Sequence, residues 1–127
     1  MQLASKYDLM VIEDAAQAPF GRYKDRFVGT LGHLGVFSLN YHKHIHTGEG
    51  GIIITNNDDI AERCFLIRNH GENAVEPKGV SNIMNTHGYN FRMTEIEAAI
   101  GVEQLKKLPA LNESRINNAH YLGNALK

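Results

Sequence analysis

GVFSLNYHKHIHTGEGGIIIT, residues 35–55, consists of two apolar runs separated by a polar stretch that carries one lysine, three histidines and a glycine-flanked glutamate. Neither apolar run alternates with polar residues. Continuous apolar character marks strands covered on both faces by helices, as in a parallel sheet, so LGVFSL and GGIIITN read as two such strands. A third run, LMVIE at residues 9–13, leads straight into the acidic pair Glu13–Asp14. The polar stretch is then a loop at the end of a buried strand, where open α/β sheets bring their ligands.

On the N-terminal side, QLASKY near the start reads as the end of a helix. On the C-terminal side, NDDIAERCFLIRNHG, residues 57–71, has acidic residues early, apolar residues at Ile60, Cys64 and Ile67, and Gly71 just past its end. These are the marks of an amphipathic helix. Residues 72–87 are polar and broken by Pro77 and Gly79, and predict a long irregular loop of the kind that carries function. Thr94 with Glu97 forms a capping box ahead of IEAAIGVEQLKKL, and a further helical run begins after Pro109. The expected class is α/β, a mostly parallel sheet flanked by helices. Three strands are few where about five or six are usual, so the chain reads as a segment of a larger protein.

At 127 residues the chain suits one domain or part of one. With 13 basic against 14 acidic side chains, its charge does not favour nucleic acid or a membrane surface. Cys64 is the lone cysteine and has no disulfide partner within the chain, no apolar run reaches membrane-spanning length, and the expected location is the cytoplasm. Cys64 itself reads as a small buried hydrophobe.

Three features of the central loop invite chemistry. His42, His44 and His46 are spaced by two, which on a strand would place them on one face as metal ligands. A closed zinc site needs four ligands, however, and neither a CxxC pair nor an HExxH helix supplies the rest. TGEGG offers backbone amides to a phosphate but has neither a Walker order nor a dinucleotide fingerprint, and its glycines also suit a tight turn. Lys43 is the third. A lysine in a polar loop is ordinarily a solvated charge, and with a pKa of about 10.4 only about one in 2,500 is neutral at pH 7. A reactive lysine therefore needs a depressed pKa or a covalent partner that replaces the ammonium. Pyridoxal phosphate is such a partner. It asks a protein for an amine, a carboxylate near the pyridine nitrogen and donors for its phosphate, and Lys43, Asp14 and Ser38 are candidates for each.

VIEDAAQA (residues 11–18), GVFSLNYHKHIHTGEGG (35–51), RNHG (68–71) and GYNFRMTEIEAAIG (88–101) together resemble the DegT/DnrJ/EryC1/StrS family. These are pyridoxal-phosphate sugar aminotransferases of fold type I, and the resemblance covers essentially the whole chain in the right order. It implies part of the large cofactor-binding domain over residues 1–108, with 109–127 leading toward a C-terminal small domain. It makes Lys43 the catalytic Schiff-base lysine and Asp14 the partner of the pyridine nitrogen. Ala16 matches the small residue packed against the ring, Gln17 the residue bonded to the ring hydroxyl, and Ser38 a phosphate-binding serine. Asn90 matches an asparagine that reaches the cofactor phosphate of a neighbouring subunit, which implies a homodimer with shared sites. The implied reaction transfers an amino group, usually from L-glutamate, to a nucleotide-linked keto-sugar, as in amino-sugar and surface-polysaccharide biosynthesis. The histidines then merely flank the lysine, and no metal is implied. Some family members are dehydratases with histidine at the lysine position, and Lys43 argues for a transaminase. The resemblance reaches only the middle of a family enzyme and includes neither the earlier phosphate loop nor the stacking aromatic residue, so this polypeptide alone is expected to hold cofactor weakly and turn over poorly. The alternatives are a non-catalytic domain that keeps the fold for binding or assembly, and a histidine-cluster metal protein.

Overall fold

The computed structural model describes residues 1–72 and 87–127; most of the loop expected over 72–87 lies outside them. The element order is α1 (Gln2–Lys6), β1 (Ile12–Asp14), β2 (Arg22–Tyr23), β3 (Arg26–Phe27), β4 (Leu34–Ser38), β5 (Gly51–Thr55), α2 (Asp58–Arg68) and α3 (Glu95–Ala125).

The principal sheet has the order β1-β4-β5. β1 runs parallel to β4, with Ile12 opposite Leu34 and Asp14 opposite Val36. β4 and β5 are antiparallel, Leu34 facing Thr55 and Ser38 facing Gly51. The sheet is therefore mixed, where the sequence predicts a mostly parallel one. The reason lies in the connection. A parallel return needs a crossover of about a dozen residues or more, usually a helix, whereas residues 39–50 fold back on themselves. The Leu39 amide donates to the Gly50 carbonyl at 2.8 Å, and the Thr47 amide to the Leu39 carbonyl at 3.0 Å.

β1 also begins later than its apolar run. Asp8 takes a left-handed φ of 50°, the Leu9 amide bonds back to the Ala4 carbonyl, the Val11 amide donates to His33 Nδ1 at 2.8 Å, and strand pairing starts only at Ile12. The strands are not covered on both faces by the described residues: Ile12 is 64% exposed and Ile53 52%. α2 packs on β5, but no described helix lies over the face that those isoleucines present.

β2 and β3 form a hairpin that the apolar pattern does not announce, with Arg22 opposite Phe27. Lys24 and Asp25 at its tip both have positive φ, 46° and 62°, the backbone of the turn that matches strand twist. After the hairpin the chain crosses β4 closely. A Cβ on Gly35 would sit 2.4 Å from Gly29 backbone atoms, and one on Gly29 would meet the Phe37 ring at 2.6 Å. Only glycine fits at both places.

The Glu13 side chain holds that crossing. Its carboxylate accepts from the amides of Gly29, Leu31 and Gly32 at 2.8, 2.6 and 2.5 Å. Burial pushes the Glu13 carboxyl up, but the three amides and the nearby Arg26 outweigh it and bring the pKa below the ordinary 4.5. Glu13→Ala leaves those amides without their acceptor and is expected to cost roughly 2–4 kcal/mol of stability, read by urea unfolding at neutral pH. Because the folded pKa is depressed, this contribution is complete above pH 4.5 and is lost as the pH falls through the lowered value. The gap between wild type and variant should therefore narrow in acid, as the carboxyl loses its charge while keeping its acceptor oxygens.

α2 begins at Asn57, whose side chain caps the Ile60 amide at 3.0 Å. Its buried residue is Leu66. α3 opens with the expected capping box: the Thr94 hydroxyl accepts from the Glu97 amide while the Glu97 carboxylate accepts from the Thr94 amide. The two helical runs expected on either side of Pro109 are one helix, with Pro109 inside it. An interior proline costs about 3 kcal/mol, and here the helix is held on both sides of it. Leu108 is 2% exposed in a cluster with Leu39 and Ile45, against which Met93 packs, and the Asn112 side chain donates to the Pro19 carbonyl at 3.0 Å. Much of α3 is otherwise open, with Ile96 and Tyr121 both more than 70% exposed.

Candidate active site

Parallel pairing of β1 with β4 brings their carboxyl ends to the same end of the sheet, with Asp14 opposite Val36 and Ser38 two residues further along β4. Backbone bonds fix the turn after each strand. The Ala15 amide donates across to the Val36 carbonyl at 2.9 Å, burying Ala15 to 3% exposure and turning the chain off the sheet. Asp14 Oδ1 accepts from the Ala16 amide at 3.1 Å, an Asx turn that orients the carboxylate. Among the described residues Asp14 Oδ2 has no partner. Ala16 is half-buried and Gln17 exposed.

On β4 the Ser38 Oγ accepts from the Asn40 amide at 3.2 Å, which leaves the hydroxyl proton available to donate. The lysine loop starts at once. Lys43 closes a turn by donating its amide to the Asn40 carbonyl at 2.9 Å, and Ile45 and Thr47 are buried beneath it. The Thr47 hydroxyl donates to the Glu49 carbonyl at 2.6 Å. The loop is thus pinned at its apolar underside while Lys43, half-buried, lies on its turn. α3 braces both halves of the site: Leu108 packs under the lysine loop and Asn112 bonds the loop beyond Gln17.

His44 is half-buried, and burial depresses its pKa below 6.5, with Arg115 and Lys43 adding repulsion of the same sign. All three causes favour the neutral imidazole. His42 and His46 are exposed, and the His42 ring packs against Tyr41 with centroids 3.8 Å apart. Among the described residues no group of three or more His, Cys, Asp or Glu side chains is placed to hold a metal ion.

Asn90 is held by a separate set of backbone bonds. It forms an isolated antiparallel bridge with Asn69, the Tyr89 amide donating to the Ile67 carbonyl at 2.7 Å and the His70 amide to the Tyr89 carbonyl at 3.0 Å. Arg92 Nη1 donates to Asn69 Oδ1 at 2.7 Å, so the RNHG and GYNFRM segments are bonded to one another. Among the described residues no hydrogen bond joins Asn90 to Asp14, Ser38 or Lys43. The small cavity between Gly29, His33 and Thr55 is at the opposite end of β4 and takes no part in the site.

The residues at the strand ends include the donor types that pyridoxal phosphate needs: an oriented carboxylate with a free oxygen, a hydroxyl with a free proton, a small residue two positions after the carboxylate and an amine on the next turn. Sequence reasoning missed Glu13, Asn40 and Glu49, which shape the loops rather than face the ligand. Asn40 Nδ2 donates to both Glu49 carboxylate oxygens, at 2.9 and 3.0 Å. An asparagine and a glutamate at opposite ends of one loop are a weak signal until the loop is known to fold back.

The whole chain, residues 1–127, matches the model of the DegT/DnrJ/EryC1/StrS aminotransferase family. It is 41% identical over 107 residues to GDP-perosamine synthase of Escherichia coli O157:H7, covering 84% of this chain and 28% of that enzyme. A DegT/DnrJ/EryC1/StrS aminotransferase from Brucella abortus superposes with a TM-score of 0.85 at 30% identity, over 98% of this chain and 32% of that one. The Escherichia coli GDP-4-keto-6-deoxy-D-mannose-3-dehydratase, solved with hydrated pyridoxal phosphate, superposes at 0.82 with 33% identity, over 94% and 34% of the two chains. The chain spans about three-tenths of the length of the curated relatives it matches, from 28% to 33%. From the match over its full length and from these likenesses, the chain belongs to the DegT/DnrJ/EryC1/StrS aminotransferase family, a family that depends on pyridoxal phosphate.

Proposed function

We propose that this chain is the lysine-bearing part of a pyridoxal-phosphate aminotransferase that moves an amino group from L-glutamate to a nucleotide-linked keto-sugar. The observation that carries the reading is the delivery of Asp14 and Ser38 to one end of the sheet by parallel strands, with the Lys43 turn beginning directly after Ser38. The GDP-sugar enzymes among its relatives support the substrate class, and lysine rather than histidine at position 43 favours amino transfer over dehydration.

When bound, the cofactor supplies an aldehyde carbon and a protonated pyridine ring that withdraws electrons from that carbon. Each residue then has a definite task. Asp14, whose Oδ1 is engaged by the Ala16 amide, would hold the proton on the ring nitrogen. Ala16 leaves room for one face of the ring, and Gln17 donates to the ring hydroxyl. Ser38 donates its free hydroxyl proton to the phosphate. Lys43 would provide the amine that anchors the cofactor and, when not so engaged, would act as the acid–base group for the proton on the donor's α-carbon. Asn90, bridged to Asn69, is proposed to serve the cofactor phosphate of a neighbouring copy, giving a homodimer with shared sites.

In the same reading residues 1–108 belong to the large domain and 109–127 lead toward the small one. Among the described residues no helix is long and apolar enough to cross a membrane, and a cytoplasmic location is proposed. A single-turnover assay tests the activity. The chain supplied with pyridoxal phosphate and L-glutamate should release 2-oxoglutarate in proportion to the cofactor captured on Lys43. Capture on Lys43 without any release would replace this reading with that of a non-catalytic binding or assembly unit.

A further inference from the structure

Asn40 stands where the two ends of the lysine loop meet. Its Nδ2 donates to both Glu49 carboxylate oxygens, at 2.9 and 3.0 Å, and its Oδ1 accepts from the His42 amide at 3.1 Å. Its own amide donates to Ser38 Oγ, and its carbonyl accepts from the Lys43 amide. Glu49 is the sole carboxylate of residues 35–55. Among the described residues the Lys43 ammonium has no carboxylate partner. The loop thus holds one anion and one catalytic amine, and the anion is bonded to something else.

We propose that Asn40 is a positioning residue that keeps Glu49 from pairing with Lys43, so that the amine remains free to react. The inference rests on the proposed role of Lys43 and deepens it. An amine condenses with an aldehyde by forming a C=N bond and releasing water, and it does so as the neutral base, so the ammonium must first give a proton to solvent. A free carboxylate on the same loop would stabilise the ammonium and raise its pKa. Below that pKa, each unit of increase lowers the neutral fraction tenfold. Glu49 is exposed and salt screens such a pair, so the expected effect is about three- to tenfold, and it should fade at high ionic strength.

The test compares wild type with Asn40→Ser and with Asn40→Ser/Glu49→Gln. Serine retains an acceptor for the His42 amide but lacks the reach to Glu49, so the turn is kept while the carboxylate is released. Asn40→Ala serves as a second variant should serine distort the loop. Lys43 reactivity is read in cofactor-free protein by competitive acetic anhydride labelling from pH 7 to 10, mapped by peptide, at low and high salt. Asn40→Ser should label about three- to tenfold more slowly at pH 8 and low salt, with its pH curve displaced upward. Both the Glu49→Gln double variant and high salt should restore the wild-type rate. Equal labelling of wild type and Asn40→Ser, or a defect that neither Glu49→Gln nor salt relieves, would overturn the proposal. Capture of pyridoxal phosphate is measured in parallel. Normal labelling behaviour with no capture on Lys43 would reject the proposed function and leave the role of Asn40 standing.

Discussion

Lys43→Ala should abolish covalent retention of pyridoxal phosphate and slow the release of 2-oxoglutarate from L-glutamate by about 10²–10⁴-fold, the range lost with a positioned general acid–base. In the proposed role Lys43 is both the anchoring amine and the acid–base group for the donor's α-proton, and the substitution removes both. It should leave the fold intact. The loop is pinned by the Leu39–Gly50 and Thr47–Leu39 backbone bonds and by burial of Leu39 and Ile45 against Leu108, none of which involves the lysine side chain. Retained turnover with an unchanged unfolding midpoint would mean that another amine performs the chemistry.

Asp14→Asn is expected to lower the same rate by about 10²–10³-fold, as loss of a preorganised electrostatic partner does, while cofactor is still captured on Lys43. Asparagine keeps the side-chain oxygen that accepts from the Ala16 amide, so the turn after β1 survives and only the charge is removed. The neutral side chain no longer favours a proton on the ring nitrogen, and the ring becomes a weaker electron sink. The two variants therefore separate the two tasks: Lys43→Ala loses the covalent link, whereas Asp14→Asn keeps the link and loses rate. Equal loss of capture in both would assign Asp14 to binding alone.

Of the residues proposed to face the cofactor, Asp14, Ser38 and Lys43 were legible from residue type and position, whereas Ala16, Gln17 and Asn90 came only from the family resemblance. Asp14 after an apolar run and Ser38 at the end of another required only the recognition of strands, and the Thr94–Glu97 capping box only its spacing. Strand direction was not legible. An apolar run looks the same whether its neighbour is parallel or antiparallel, and β5 is turned back by backbone bonds that no side chain advertises. Nor was burial on both faces a safe reading, since Ile12 and Ile53 are apolar and exposed. Pro109 breaks a helix by propensity, yet Leu108 and Asn112 hold one continuous α3 through tertiary contacts. Glu13 is the clearest miss. Beside Asp14 it reads as half of an acidic pair, but successive strand residues point to opposite faces, and Glu13 turns away to bind the Gly29–Gly32 amides.

The most direct measurement is borohydride reduction of the chain in the presence of pyridoxal phosphate, with digestion and peptide mapping of the product. A reduced cofactor adduct concentrated on Lys43, and absent from Lys6, Lys24 and the helix lysines Lys106 and Lys107, is the predicted result. An adduct spread over the exposed lysines, or concentrated on any of them in place of Lys43, would contradict it.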